Sequence, residues 1–325
     1  MTSKEKYREL CDKEKTIPIF SRSWWLDAVC GEENWDVLLV EKGGKIIASM
    51  PYTTTKNKIF KGISMPLLTQ KNGIWICYPD NQKYTSKLSY EKDIINEIIN
   101  KIEVLKLDFY VQNYDYTFTN WLPFYWKQYN QSTRYTYVID DLSNIDRVYQ
   151  ETDGKVKTQI RKSEKVVSVK EDCSIETFYK MIFLTFKRQN MSMPYSFELI
   201  ERIDMACKEN RCRKILYAED LQGRIHAAIY LVWDDTSMYY LMGGADPELR
   251  NSEATTLLLW NAIKFASTVV KKFDFEGSMI EPIERFFRAF GSTQKPYYKI
   301  WKDYSKLYKL SNIAKQLGKV IIKNR

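Results

Sequence analysis

Residues 224–245 read Arg-Ile-His-Ala-Ala-Ile-Tyr-Leu-Val-Trp, then Asp-Asp-Thr-Ser, then Met-Tyr-Tyr-Leu-Met-Gly-Gly-Ala. Two apolar runs rich in aromatic and branched side chains flank a segment of turn formers. This predicts a hairpin, with a strand over 224–233, a turn over 234–237 and a return strand over 238–242 that stops at Gly243-Gly244. Upstream, 213–218 reads as a shorter strand joined through the turn-like Asp220-Leu221-Gln222-Gly223. Downstream, Asp246-Pro247 and Asn251-Ser252 offer helix starts before 254–270, where apolar residues recur at helical spacing. A strand over 272–276 follows, closed by Gly277-Ser278, and then a helix over 283–290 stopped by Gly291.

Working outward, the first half of the chain echoes this stretch. Gly44, Lys45 and Ala48 fall on Gly223, Arg224 and Ala227, and Asp108-Phe109 echoes Asp274-Phe275. A helix over 93–105 would carry Ile94, Ile95, Ile98, Ile99 and Ile102 on one face. The matches occur in the same order and in the same kinds of element, which argues for duplication. The expected fold class is α/β (α+β), with two tandem domains, each a mixed, mostly antiparallel sheet flanked by helices. The expected boundaries are 1–140 and 141–305, with a helical tail over 306–325.

The order hairpin, helix, strand, helix resembles the second half of a GNAT-type N-acyltransferase. Phe-Asp-Phe-Glu-Gly-Ser at 273–278 and Phe286 to Gly291 resemble, more narrowly, the Fem-like branch, which includes peptidoglycan-bridge aminoacyltransferases. Those proteins often carry a lysine where this chain has Arg288, a change that keeps charge and alters geometry. The resemblance implies two facing GNAT-type domains, an acyl donor in the second and an acceptor on the side of the first, degenerate one. The implied donor is acyl-CoA, with aminoacyl-tRNA as the alternative. The implied acceptor is the amino group of a cell-envelope precursor or sugar, either a small molecule or lipid-linked. A pair of inactive domains that only binds a lipid or nucleic acid is the rival from another class.

Composition narrows the setting. The single histidine and six scattered cysteines, none in a Cys-x-x-Cys pair, supply neither a zinc ligand set nor a disulfide framework. No metal is expected, and the thiols read as reduced and the protein as cytoplasmic. Residues 1–15 are charged and polar and do not read as a signal peptide. The net charge is +9, and residues 295–325, with nine basic side chains and one acidic, carry nearly all of it. The body alone is close to neutral, which argues against a general nucleic-acid binder.

Acyl transfer to an amine needs a held donor, a neutral amine and a stabilised oxyanion. The splayed strand of a GNAT fold would fall at Tyr240, Leu241 and Gly243, with Gly243 and Gly244 allowing close backbone approach to the donor. The helix start after it is a natural anion site. There CoA-dependent relatives use Arg or Gln, two residues, Gly, one residue, then Gly or Ala. This chain has Arg250-Asn251-Ser252-Glu253-Ala254-Thr255, so Arg250 fits and Glu253 departs. Asn251 or Ser252 also reads as a plain N-cap. His226, Asp274 and Glu276 are the candidate bases, the two carboxylates expected on one strand face. A surface or satisfied histidine and a solvated strand end are the bland readings. Arg161 and Lys162 resemble text that follows the domain link in Fem-like proteins, and with Phe287 and Arg288 they are the candidate substrate contacts. The tail reads as a basic amphipathic helix. Ile313, Ala314, Leu317, Val320 and Ile321 lie on one side, Lys315, Lys319 and Lys323 on the other, with Ser311 or Asn312 as cap. It could pack on the domain, lie on an anionic membrane or touch tRNA.

Overall fold

The computed structural model describes residues 1–56 and 59–323, with side chains up to residue 314 and excluding that of Lys56. In chain order the elements are α1 (Ser3–Lys13), α2 (Ser23–Cys30), β1 (Trp35–Lys42), β2 (Lys45–Lys56), β3 (Lys61–Ser64), β4 (Trp75–Ile76), α3 (Tyr84–Val104), β5 (Phe109–Asn113), α4 (Leu122–Trp126) and β6 (Asn130–Ile139). They continue as α5 (Ile145–Glu151), α6 (Gly154–Ser163), β7 (Ser168–Glu171), α7 (Ile175–Arg188), α8 (Phe197–Glu209), β8 (Arg213–Glu219), β9 (Ile225–Trp233), β10 (Ser237–Ala245), α9 (Ala254–Val269), β11 (Lys272–Asp274), α10 (Glu281–Arg288), β12 (Thr293–Asp303) and α11 (Lys306–Lys323).

From α1 to β6 and again from α7 to β12 the chain runs helix, helix, three strands, helix, strand, helix, strand, with the short β4 inserted in the first copy. The duplication is therefore structural. Both copies pair their third and fourth long strands in parallel, β3 with β5 and β10 with β11. Gly44 and Gly223 occupy the turns of matching hairpins, β1–β2 and β8–β9. The aspartate echo does not hold in space. Asp108 precedes β5, whose first paired residue is Phe109, whereas Asp274 is the last residue of β11. Pairing sets which residue begins a strand, and the two Asp-Phe texts meet it at different points.

The chain forms two compact units, Met1–Arg134 with Tyr297–Arg325, and Tyr135–Pro296. Unit 1 has the strand order β1-β2-β3-β5-β12, with β4 on β2. Its main core gathers around α3, which buries the five expected isoleucines against Tyr110, Tyr114 and Ile300. Each contributes about 2 kcal/mol. Unit 2 has the order β6-β11-β10-β9-β8-β7. Its core joins α6 and α9 to the sheet through Leu257, Leu258, Ile263, Phe273 and Phe275. The strand beside each parallel pair comes from the end of the other copy. Val138 and Ile139 of β6 pair with β11, and Lys299 to Asp303 of β12 pair with β5.

The tail helix starts at Lys306, where the expected tail starts, but its cap is not the expected one. Ser305, not Ser311 or Asn312, caps α11: its Oγ accepts from the Tyr308 N–H at 3.3 Å and its carbonyl from the Lys309 N–H at 3.0 Å. Tyr308 stacks on Phe109 at 4.3 Å and meets Phe60 edge-on at 5.1 Å. Leu307, Leu310 and Ile313 are exposed. The side chains of Lys315, Leu317, Lys319, Val320, Ile321 and Lys323 lie outside the described residues. No helix among the described residues is long and apolar enough to cross a membrane.

Candidate functional site

The predicted splay is present. β10 pairs in parallel with β11 over Ser237–Tyr239, opposite Lys272–Asp274, and from Tyr240 onward that side of β10 has no ladder partner among the described residues. On its other side β10 stays paired to β9, but the register slips between Tyr240 and Met242, so Leu241 bulges with no opposite residue. β10 continues to Ala245 instead of stopping at Gly243, because the β9 pairing holds as far as Ala227.

The bulge decides what each glycine does. Across one extra residue, Tyr240 and Gly243 face the same side, and a Cβ on Gly243 would lie 2.1 Å from the Tyr240 hydroxyl. A Cβ on Gly244, on the other face, would meet the backbone carbonyl of Met181 at 2.3 Å. Gly244 thus lets α7 lie directly on the strand, a packing role in place of the expected approach to a donor. Burial pushes the Tyr240 phenol up to about 12. Its ring meets Phe287 edge-on at 6.0 Å, and Phe287 stacks on Phe275 at 5.1 Å. Phe287, a candidate substrate contact, is buried in the core of unit 2.

The turn before α9 is a single 3-10 turn, Arg250–Ser252. Ser252 is buried and its hydroxyl donates to the Leu249 carbonyl at 2.8 Å, so it holds the turn. The N-cap is neither Asn251 nor Ser252 but Glu253, whose carbonyl accepts from the Thr256 N–H at 3.0 Å and whose side chain makes no capping bond. Glu253 adopts φ 59° and ψ 26°, the left-handed conformation that glycine takes without strain. The residue that departs from the pattern in chemistry thus adopts a backbone conformation that suits glycine. Arg250 and Asn251 are exposed.

β11 ends at Asp274, so Asp274 and Glu276 do not share a strand face. The Asp274 carboxylate is buried and accepts from the Thr136 hydroxyl and, at 2.8 Å, from the Glu276 N–H. Glu276 and Gly277 are both left-handed, with φ 59° and 65°. A Cβ on Gly277 would lie 2.2 Å from the Tyr135 carbonyl, so only glycine fits beside β6. This bend turns Glu276 toward Tyr195 in the α7–α8 loop; burial, and then the Glu276 charge, raise the Tyr195 phenol. No sequence signal marked Tyr195.

His226 sits in β9, buried, with Nε2 3.0 Å from Asp220 Oδ2. Asp220 also accepts from the backbone N–H groups of Gln222 and Arg224 and from Arg224 Nε. These bonds, the one from His226 foremost, hold the Asp220 carboxyl well below the usual carboxylate range. The imidazole thus fastens the β8–β9 turn. Arg161 and Lys162 lie exposed in the last turn of α6, where cations suit the helix dipole, and their side chains make no hydrogen bond among the described residues. Arg288 is exposed and pairs through Nε with Glu284 at 2.8 Å. The Tyr137 hydroxyl donates to the same Glu284 oxygen at 2.8 Å. The wedge therefore brings together Tyr240, Leu241, Gly243, Phe287 and the Asp274–Glu276 bend, and leaves His226, Arg161 and Lys162 to other contacts. No group of three or more residues suited to a metal ion occurs among the described residues.

Residues 151–286 match the family model of an acetyltransferase (GNAT) domain. Among solved structures, FemX superposes with a TM-score of 0.70 at 10% identity, over 92% of this chain and 96% of that one. The C-terminal domain of a putative lysylphosphatidylglycerol synthetase from Agrobacterium fabrum gives 0.57 at 8% identity, over 93% of each chain. A tandem GNAT protein from the clavulanic acid biosynthesis pathway gives 0.50 at 11% identity, over 92% and 94%. At such identities the likeness is one of fold. No curated protein matches the chain in sequence.

Proposed function

We propose, from the premise that this chain is a GNAT acyltransferase of the Fem-like fold, that it moves an acyl group from acyl-CoA to an amino group of a cell-envelope precursor or sugar. The observation that carries the reading is the wedge opening at Tyr240, with bulged Leu241 at its mouth. Acyl-CoA would supply an activated thioester carbonyl. The Leu241 backbone, out of register with β9, can offer a donor to the oxygen of that carbonyl as it takes on charge. The N–H groups that open α9 and the exposed Arg250 suit a polyphosphate. Glu253 stands against it, as one carboxylate at the same helix start.

Glu276 is our candidate for taking the proton from the acceptor amine, with Asp274 as the positioning residue that fixes the bend through the Glu276 N–H. Glu276→Gln should lower kcat by about 10²-fold while CoA binding stays unchanged. Unchanged kcat would remove Glu276 from the mechanism. Arg288 is our candidate for an anionic group of the acceptor, reached by exchanging Glu284 for that group.

The second reading is an aminoacyl-tRNA donor, which Glu253 favours because its carboxylate stands where CoA-dependent relatives carry a glycine. Calorimetry of the whole protein with CoA and with aminoacyl-tRNA separates the two. The envelope acceptor draws support from the FemX and lysylphosphatidylglycerol synthetase likenesses and from the exposed Leu307, Leu310 and Ile313 on a lysine-rich helix, which suit a cytoplasmic anionic membrane face.

A further inference from the structure

Many buried and half-buried cations in this molecule sit beside an acid. Lys71 is 3.3 Å from Asp115, Arg213 3.1 Å from Asp204, Lys214 2.9 Å from Glu171, Lys295 2.8 Å from Asp140 and Lys302 3.5 Å from Glu103. Arg134 and Lys299 depart from this pattern. Both belong to unit 1 and both are half-buried. Among the described residues neither side chain has an ion pair or a hydrogen bond, and Arg134 Nε is buried without a partner. Among the described residues Lys299 has the ring of Trp301, 6.0 Å away on the same strand face.

The strands set the two cations side by side. At one end, the Tyr129 hydroxyl bonds to the Tyr304 hydroxyl at 2.5 Å, and Lys302 Nζ donates to the Lys127 carbonyl at 2.9 Å. At the other end, Gln294 Nε2 donates to the Tyr137 hydroxyl at 2.6 Å. β6 and β12 therefore run antiparallel. Five residues inward from Tyr129 is Arg134, and five inward from Tyr304 is Lys299. Like charges placed opposite each other across strands are destabilising, more so when partly desolvated. Burial and the Arg134 charge together push the Lys299 ammonium below its ordinary value. Lys4, Arg22 and Lys157, also half-buried, donate to backbone carbonyls, whereas Arg134 and Lys299 are placed together with no carboxylate or carbonyl partner among the described residues.

We propose that Arg134 and Lys299 form an anion site in unit 1 for a phosphate or diphosphate group. Two cations match a doubly charged oxyanion better than a single carboxylate, and the flat guanidinium can meet two oxygens at once. The site belongs to unit 1 and the wedge to unit 2, and pyrophosphate binding there does not depend on which acyl donor is used.

The test is calorimetry of the full chain with inorganic pyrophosphate at low salt, without any acyl donor. The wild type binds, and Arg134→Gln or Lys299→Gln weakens binding about tenfold or more. Lys299→Arg retains it, and Lys264→Gln, which removes an exposed charge on α9, leaves it unchanged. Acetate, a monoanion, binds more weakly than pyrophosphate. ADP and vesicles containing phosphatidic acid serve as competitors, and the one that displaces pyrophosphate in an Arg134-dependent manner identifies the source of the phosphate. Relief of repulsion should also raise the melting temperature of either Gln variant in the absence of ligand. Absence of pyrophosphate binding in the wild type overturns the proposal. So does a raised melting temperature with unchanged binding in both Gln variants.

Discussion

The Tyr240 hydroxyl occupies the place where a side chain at Gly243 would begin, 2.1 Å from an ideal Cβ. The neighbouring glycine meets helix backbone instead, so the two should respond differently to one methyl group. In Gly243→Ala the obstructing atom is the end of a side chain, and Tyr240 can swing aside. The fold should survive while the wedge is reshaped, and the expected result is weaker donor binding with nearly unchanged melting. In Gly244→Ala the methyl meets the Met181 carbonyl, and α7 must move, at a cost of about 1–3 kcal/mol. Urea unfolding and donor titration of both variants check this; equal destabilisation by both would refute the assignment of faces.

Glu253→Gly tests the α9 start. Relief of a left-handed side chain gains about 1 kcal/mol, and the freedom glycine adds to the unfolded chain offsets about as much. Stability should therefore change little. Removing a carboxylate from a helix N-terminus should tighten CoA binding, with a larger effect at low salt. Binding of aminoacyl-tRNA with none of CoA by either form would favour the second reading.

His226 and Asp220 make a pH forecast. The folded Asp220 carboxyl lies below its unfolded value of about 4. A depressed carboxyl contributes stability that is complete above the unfolded value and is lost as pH falls through the folded one. Wild-type stability should thus decline as pH drops below about 4, and Asp220→Asn should flatten that decline while lowering stability at neutral pH. His226→Gln should also destabilise, yet keep turnover within about tenfold, because the imidazole already serves the hairpin turn. A loss of turnover beyond about 10²-fold in a folded His226→Gln would return the residue to the catalytic set.

The hairpins and α3 were legible in the sequence because period and turn chemistry are local. Five isoleucines at helical spacing could hardly mean anything else. The wedge was legible in place, at Tyr240 to Gly243, though not in cause, since a bulge at Leu241 depends on how β9 pairs. The Asp108 echo misled because Asp-Phe is short text and strand starts are set by partners. The exchange of final strands between copies leaves no period to read: β6 meets β11 across more than a hundred residues of chain. Glu253 hid a backbone that suits glycine behind an acid's chemistry. Tyr195 acquires meaning only through a left-handed bend at Glu276.

The tail yields the last prediction. Tyr308 is fastened to Phe109 and Phe60, so the first turn of α11 belongs to unit 1. Leu307, Leu310 and Ile313 form an exposed apolar stripe on this helix, and the sequence after Ile313 adds Lys315, Lys319, Lys323 and Arg325. A stripe of this kind beside lysines suits an anionic bilayer surface, where apolar burial and charge act together. Removing residues 311–325 keeps Tyr308 and takes away four positive charges. The truncated protein should melt near the wild-type temperature and turn over a soluble acceptor analogue normally. It should bind vesicles containing phosphatidylglycerol more weakly, and the difference should shrink as salt rises. Aggregation or unfolding on truncation would mean that the removed segment covers the core of unit 1, and the membrane role would then be lost.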